Sequence, residues 1–173
     1  RLTSIPRSLS FFGLGQFECR AGLLLVRLPP FYASGRGPHL APEEVIAHGA
    51  AKEALYRETM REQLQERLVP GVREFLESHR DRPIGLASNA EPANVDFVLD
   101  GGGLRGCFSA IVNGHDVEQP KPHPEIYLRT AALLGVDPRH CIVFEDSYAG
   151  VEAARAAGAR VVALTTTHTC FSQ

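Results

Sequence analysis

The chain has 173 residues, of which 44% are hydrophobic and 22% charged, a balance typical of a globular protein with a buried core. Its formal net charge is −2, which argues against nucleic acid or an anionic membrane as a partner. The four cysteines are widely spaced and form no Cys-x-x-Cys pair, which argues against a zinc site. No apolar run approaches the roughly 20 residues of a membrane-spanning helix, so we expect a cytoplasmic protein.

Residues 1–40 differ in composition from the rest of the chain. They contain five arginines and a single acidic residue, Glu18. Their short apolar runs are interrupted by glycine and proline, which predicts an irregular segment. We reject a signal peptide, because Gln16 and Glu18 divide the apolar stretch that such a peptide needs.

Residues 42–68 carry a helical pattern. Pro42 suits a first helical position, and Glu43 and Glu44 suit the first turn that follows it. Apolar residues recur at helical spacing and predict one buried stripe, with a break near Gly49. The stripe consists of Val45, Ile46, Leu55, Met60, Leu64 and Leu68.

From residue 70 onward the pattern alternates between short apolar runs and helical segments. The runs predict strands at 84–87, 110–112, 141–144 and 161–164. Helices are expected at 72–79, 92–99, 124–134 and 147–157, with Gly135 and Gly158 ending the last two. Such alternation predicts the α/β class, with a Rossmann-like parallel sheet covered by helices on both faces.

Glu145 and Asp146 give the strongest chemical signal in the chain. They follow the apolar strand 141–144 directly, and the carboxyl ends of parallel strands face the crevice where ligands of open sheets bind. Two adjacent carboxylates repel each other without a cation, so the pair favours a hard metal ion such as Mg²⁺. The alternative is that Asp146 or Ser147 caps the next helix, and both roles can coexist.

Two further sites point to phosphate. Lys121, between Pro120 and Pro122, is one of two lysines in a chain with sixteen arginines, which favours a compact ammonium between a phosphate and a carboxylate. The alternative is a surface lysine in a proline-rich loop. Ser88 and Asn89 end a strand and open a helix, where a hydroxyl and free backbone N–H groups make an anion site; the alternative is an ordinary helix cap.

Ser88-Asn89, Lys121-Pro122 and Glu145-Asp146, in this order and spacing, resemble the haloacid dehalogenase superfamily of phosphohydrolases, and within it the β-phosphoglucomutase-like branch. The resemblance covers about residues 42–168. It implies a partial helical cap at 41–69 and an α/β core at 70–173. It further implies a Mg²⁺-dependent phosphatase or phosphomutase acting on a small phosphorylated metabolite, with a sugar phosphate as the default substrate.

The resemblance also implies roles for single residues. Ser88 and Lys121 would be catalytic, Ser88 by hydrogen bonding to the phosphoryl oxygens and Lys121 by neutralising charge as the phosphoryl group moves. Asn89 would lie beside them in the phosphate-binding site. Glu145 and Asp146 would hold Mg²⁺. Such roles suit phosphoryl transfer, which depends on positioning and electrostatic stabilisation.

The family's nucleophile is missing from the sequence. It lies in an Asp-x-Asp-Gly motif at the end of the first strand, whereas this chain has no Asp before Asp81. We interpret the similar run Phe97–Gly101 as a helix that ends in a glycine turn. We therefore expect the first core strand and both aspartates to be absent, with Leu23–Leu28 as a substitute strand. The sequence predicts an altered or truncated family member, impaired in catalysis.

Loss of a central strand would expose sheet edge, so we also expect weak stability or a homo-oligomer. A second hypothesis is a non-catalytic remnant that binds phosphate or a protein partner through the surviving site. A dinucleotide-dependent oxidoreductase, suggested by Gly101-Gly102-Gly103, is discounted because that run does not fit a Gly-x-Gly-x-x-Gly frame between a strand and a helix.

Overall fold

A computed structural model describes residues 9–13 and 41–165. The chain divides into two compact units. Of the described residues, 9–13 and 63–165 belong to the first unit, and 41–62 belong to the second. None of the described helices is both long and apolar enough to cross a membrane.

The first unit contains a five-stranded sheet in which every neighbouring pair is parallel. The strands are β1 (Leu9–Gly13), β2 (Ile84–Ala87), β3 (Ala110–Val112), β4 (Cys141–Glu145) and β5 (Arg160–Ala163). Their spatial order is β3-β2-β1-β4-β5. The predicted α/β class and parallel sheet are therefore confirmed.

Strand β1 overturns the expectation that the first core strand is absent. It lies at the centre of the sheet, where Phe12 is aligned with Leu86 of β2 on one side and with Phe144 of β4 on the other. The expectation failed because it inferred a lost strand from lost aspartates, whereas strand pairing depends on backbone groups. The proposed substitute, Leu23–Leu28, lies outside the described residues.

Six α-helices are described. They are α1 (Pro42–Met60), α2 (Leu64–Arg67), α3 (Val72–Ser78), α4 (Pro92–Gly101), α5 (Glu125–Leu134) and α6 (Tyr148–Ala156). Two short 3₁₀ helices lie at Arg105–Cys107 and Pro138–His140. Helix α1 continues through Gly49, so the predicted break falls instead between Met60 and Leu64. Helix α4 ends at Gly101, as predicted for the run that resembles an aspartate motif.

Helix α1 has the predicted start but not the predicted buried stripe. Pro42 is its first residue, and Glu44 accepts a hydrogen bond from the backbone N–H of Ala41 at 2.8 Å. Val45, Ile46 and Leu55 are exposed. Burial along the stripe is found at its carboxyl-terminal part, at Met60 and Leu64.

Two apolar layers cover the sheet in the first unit. Helices α5 and α6 pack on one layer with Cys141 and Val143 of β4. Helices α3 and α4 pack on the other layer with Ile84 and Leu86 of β2. Because successive strand residues point to opposite faces, Glu145 continues the series of Cys141 and Val143 and faces α5 and α6.

Candidate active site

Glu145 is the last residue of β4 and is fully buried. Its Oε2 accepts hydrogen bonds from Nζ of Lys121 at 2.8 Å and from the hydroxyl of Tyr127 at 2.6 Å. Its Oε1 accepts hydrogen bonds from the backbone N–H groups of Asp146 and Ser147, at 3.2 and 3.1 Å, and from the Ser147 hydroxyl at 2.8 Å. Five donors thus surround one carboxylate, as a buried charge requires.

The start of helix α6 is built around this carboxylate. Ser147 is the N-cap, and its Oγ accepts a hydrogen bond from the backbone N–H of Gly150 at 3.0 Å. A Cβ atom at Gly150 would overlap the carboxyl group of Glu145. Glycine is therefore needed at position 150 to make room for the buried acid. The predicted cap role of Ser147 is confirmed.

Lys121 is buried, so the alternative of a surface lysine is wrong. Its Nζ donates to the carbonyl oxygen of Ala87 at 3.2 Å as well as to Glu145. The same nitrogen lies 4.8 Å from the ring centroid of Tyr127, within the range of a cation–π interaction. The backbone N–H of Lys121 donates to Oδ1 of Asn89 at 3.2 Å. Lys121 therefore connects the carboxyl ends of β2 and β4.

Ser88 and Asn89 follow β2 directly. Ser88 is buried; its backbone N–H donates to the carbonyl oxygen of Val112 at 3.0 Å, and its Oγ accepts from the N–H of Ala90 at 3.2 Å. Because α4 begins at Pro92, both residues lie in the loop before the helix and not in its first turn. They therefore reach the site from a loop at the carboxyl edge of the sheet.

The loop after β2 is locked against the loop after β3. The backbone N–H of Gly114 donates to the carbonyl oxygen of Ala90 at 2.9 Å. A Cβ at Gly114 would overlap the backbone oxygen of Asn89, which cannot move as a flexible side chain could. This contact fixes the backbone of Asn89, whose side chain in turn holds Lys121.

The charges of the site stabilise one another. Burial alone would raise the pKa of Glu145, but the positive charge of Lys121 and the hydrogen bonds from Lys121, Tyr127 and Ser147 outweigh burial and hold that pKa below its ordinary value. Burial and the nearby negative charges of Glu145 and Asp146 raise the pKa of Tyr127 well above its ordinary value. Tyr127 therefore stays a neutral hydrogen-bond donor to a charged carboxylate.

The described residues contain no group of three or more His, Cys, Asp or Glu that could hold a metal ion. The carboxylates of Glu145 and Asp146 are nevertheless the hard oxygen donors that Mg²⁺ prefers. Both oxygens of Glu145 already accept hydrogen bonds. Asp146, directly after β4, thus fits a metal better than Glu145 does. The metal roles of both residues stay predictions.

Sequence reasoning missed the residue that ends β1. That strand stops at Gly13, which is aligned with Ala87, the residue before Ser88. Gly13 therefore lies at the carboxyl edge of the sheet, between the ends of β2 and β4. The sequence did contain a signal for this strand end, in the run Phe11-Phe12-Gly13-Leu14-Gly15. In this run, apolar residues lead into Gly-x-Gly where the resemblance expects Asp-x-Asp.

The resemblance extends from Lys121 to Tyr127 and from Glu145-Asp146 to Gly150, but no role in the site was predicted for Tyr127 or Gly150. Tyr127 lies in the predicted helix 124–134 and is indistinguishable in sequence from an apolar core residue. Gly150 lies in a run of small residues near the start of α6. The pattern could have indicated the glycine, because a glycine soon after a helix start costs helix stability and calls for a packing reason.

Comparisons of this chain with a family model and with curated proteins agree on one family. The family model described as haloacid dehalogenase-like hydrolase matches residues 15–158. The chain is 32% identical to the fructose-1-phosphate phosphatase YqaB of Escherichia coli over 152 residues, which is 87% of this chain and 79% of that protein. It is 39% identical to hexitol phosphatase B of Escherichia coli over 97 residues, covering 55% of this chain and 44% of that protein.

Among solved structures, β-phosphoglucomutase from Clostridium difficile is similar with a TM-score of 0.69 and 28% identity, over 77% of this chain and 60% of that one. Several curated relatives are longer. The chain spans 47% of a Haemophilus influenzae protein to which it is 39% identical over 54% of its own length.

Proposed function

Since the chain belongs to the haloacid dehalogenase-like hydrolase family, we propose that its site binds the phosphoryl group of a small phosphorylated metabolite. A sugar phosphate is the first candidate, because fructose-1-phosphate phosphatase and hexitol phosphatase B are among the relatives. The observation that carries the proposal is the buried ammonium of Lys121, held between Ala87 and Glu145 at the carboxyl edge of the sheet.

In this proposal the residues of the chain divide the work. Lys121 would neutralise phosphoryl oxygens with its charge, and Ser88 would donate its hydroxyl hydrogen to one of them. Asn89 would hold the backbone of Lys121 beside them. Asp146 would supply a carboxylate oxygen to Mg²⁺, with Glu145 behind it; the bound ion would offset phosphate charge. Preorganised charges of this kind are the main source of catalysis in phosphoryl transfer.

Gly13 favours the second candidate function, phosphate or partner binding without turnover. Covalent phosphoryl transfer needs a nucleophile, and β1 presents a glycine at its carboxyl end. We therefore propose that catalysis is impaired in the chain as written. The expected cytoplasmic location, the absence of nucleic-acid and membrane partners, and a homo-oligomer stay predictions.

The first experiment measures phosphate release from an aryl phosphate and a panel of sugar phosphates, with and without Mg²⁺. Asp146→Asn serves as the control, since it removes a charge and preserves shape. Turnover that needs both Mg²⁺ and Asp146 would support a working phosphatase with a nucleophile outside the described residues. A folded protein without turnover would support the binding function.

A second experiment restores carboxylates in β1 and just after it. The double variant Gly13→Asp/Gly15→Asp is compared with Gly13→Asn/Gly15→Asn, which has the same shape without charge. Turnover in the Asp variant alone would mean that the rest of the site is intact and lacks a nucleophile. If neither variant turns over and inorganic phosphate does not bind in calorimetry, the proposed phosphoryl site is wrong.

A further inference from the structure

Tyr127 contacts both members of the buried ion pair. Its hydroxyl donates to Oε2 of Glu145 at 2.6 Å, the same oxygen that accepts from Lys121 at 2.8 Å. Its ring lies beneath Nζ of Lys121, with 4.8 Å between the nitrogen and the ring centroid. One side chain of α5 thus supports the ammonium from below and holds the carboxylate to which that ammonium is bound.

The carboxylate of Glu145 has little freedom apart from this contact. The two residues that precede α6 bind its other oxygen, through the backbone N–H groups of Asp146 and Ser147 and through the Ser147 hydroxyl. The backbone at Gly150 lies so close that a methyl group there would overlap the acid. Tyr127 therefore holds the carboxylate at its remaining oxygen, Oε2, to which Lys121 is also bound.

The ammonium of Lys121 has three hydrogens to donate. Ala87 and Glu145 accept two of them, and no acceptor for a third is found among the described residues. The direction of that third hydrogen depends on where Nζ is held. A shift of Glu145 toward the space of a missing tyrosine hydroxyl would carry Nζ with it.

We propose that Tyr127 is a positioning residue that acts through Glu145 to fix the ammonium of Lys121, so that one N–H remains directed at a phosphoryl oxygen. The phosphoryl oxygen in this inference rests on the proposed function. The position of the Lys121 ammonium can be measured without a ligand. The whole ring of Tyr127 is buried at 1% exposure, so Tyr127→Phe keeps the packing and removes the hydroxyl alone.

The two lysines of the chain make a direct test feasible. In the chain carrying ¹³C,¹⁵N-labelled lysine, Lys121 and Lys52 give the side-chain signals, and Lys52, at 75% side-chain exposure, is an internal reference. We expect the Cε–Hε signals of Lys121 in Tyr127→Phe to move toward those of Lys52. Since phenylalanine retains the ring-current effect, such a change reports displacement of the lysine. Affinity for inorganic phosphate should fall about tenfold, as for a lost hydrogen bond to a charged group.

Two further variants make the result specific. Tyr148→Phe removes one hydroxyl from an exposed tyrosine at the start of α6 and should leave the Lys121 signals unchanged. Gly150→Ala displaces Glu145 from the opposite side and should move them.

The inference is overturned if folded Tyr127→Phe has Lys121 signals that coincide with those of wild type, or if Tyr148→Phe moves them equally. Wild-type protein that fails to bind phosphate would overturn the proposed function instead. In that case the Lys121 signals still decide whether Tyr127 positions the ammonium.

Discussion

The two ends of strand β4 each carry a short ion pair, and the two pairs have opposite surroundings. At the carboxyl end, Lys121 and Glu145 lie 2.8 Å apart with side-chain exposures of 4% and 0%. Just before the amino end, Arg139 and Asp137 lie 2.6 Å apart with exposures of 78% and 36%. The shorter distance therefore belongs to the pair in water. The distance alone therefore does not show which ion pair contributes more to stability.

Exposure to solvent determines how much each ion pair contributes to stability. Water screens the Arg139–Asp137 pair, and exposed pairs of this kind add little to stability. Asp137 also has an ordinary local role, since it caps the 3₁₀ helix Pro138–His140. At the other end, burial makes each charge dependent on its partner. Substitutions at the two ends of β4 test this contrast.

Lys121→Met should cause the largest loss of stability. The substitution leaves the carboxylate of Glu145 buried without its cation, for which losses of about 3–5 kcal/mol in the free energy of unfolding are typical. Urea denaturation followed by circular dichroism measures it. Lys52→Met is the matched control, because Lys52 is exposed. Equal midpoints for the two variants would abolish the contrast.

Ser147→Ala should have an intermediate effect of about 1–2 kcal/mol, since it removes the cap of α6 and a donor to a buried carboxylate. The matched variant at the other end of β4 is Asp137→Ala, which removes an exposed cap. Thermal unfolding of the two variants should therefore rank Ser147→Ala as the less stable. The reverse order would mean that burial does not set the difference.

Cys141, at the amino end of β4, should resist alkylation. Burial, together with the negative charge of Asp137, raises the pKa of its thiol to about 12, and the thiolate is the reactive form. With iodoacetamide at pH 8, peptide mapping should find Cys107, which is partly exposed, labelled well before Cys141. Denaturant should remove the protection. Rapid labelling of Cys141 in the folded protein would show that this end of β4 opens to solvent.

Arg139→Ala should have the smallest effect on stability, with an unfolding midpoint that cannot be distinguished from wild type near neutral pH. Its visible consequence is local. The side-chain hydrogen bonds from Arg139 are the main reason that the pKa of Asp137 is about 2, so that pKa should rise toward its ordinary value. A carboxyl titration by NMR measures it. A depressed carboxyl pKa contributes stability that is lost as the pH falls through that pKa. Any difference in stability between Arg139→Ala and wild type should therefore disappear in strong acid.

Most of the first unit could be predicted from sequence. Strands β2 to β5 and helices α3 to α6 agree with the expected elements to within two residues at each end, because apolar runs and glycine stops mark them locally. The contact of Lys121 with a carboxylate also agrees with the sequence, in which a rare lysine suggested an ammonium beside a carboxylate.

Three features could not be predicted, for different reasons. The hydroxyl of Tyr127 reaches Glu145 only because α5 packs on the sheet against β2 and β3, which no local pattern encodes. Val45 and Ile46 have helical spacing, but spacing cannot tell which face is covered. Strand β1 was misjudged because a missing aspartate says nothing about whether the backbone beside it pairs.

The central position of β1 has a consequence for the order in which the protein folds during synthesis. Among the described strands, β1 alone pairs with both β2 and β4, so it joins the halves β3-β2 and β4-β5. Leu9 is aligned with Cys141, and about 130 residues must leave the ribosome before that alignment can form. Long-range parallel pairing is slow. Of the described strands, the first to be made is therefore among the last to be enclosed, and until then its edges are available to chaperones or to aggregation.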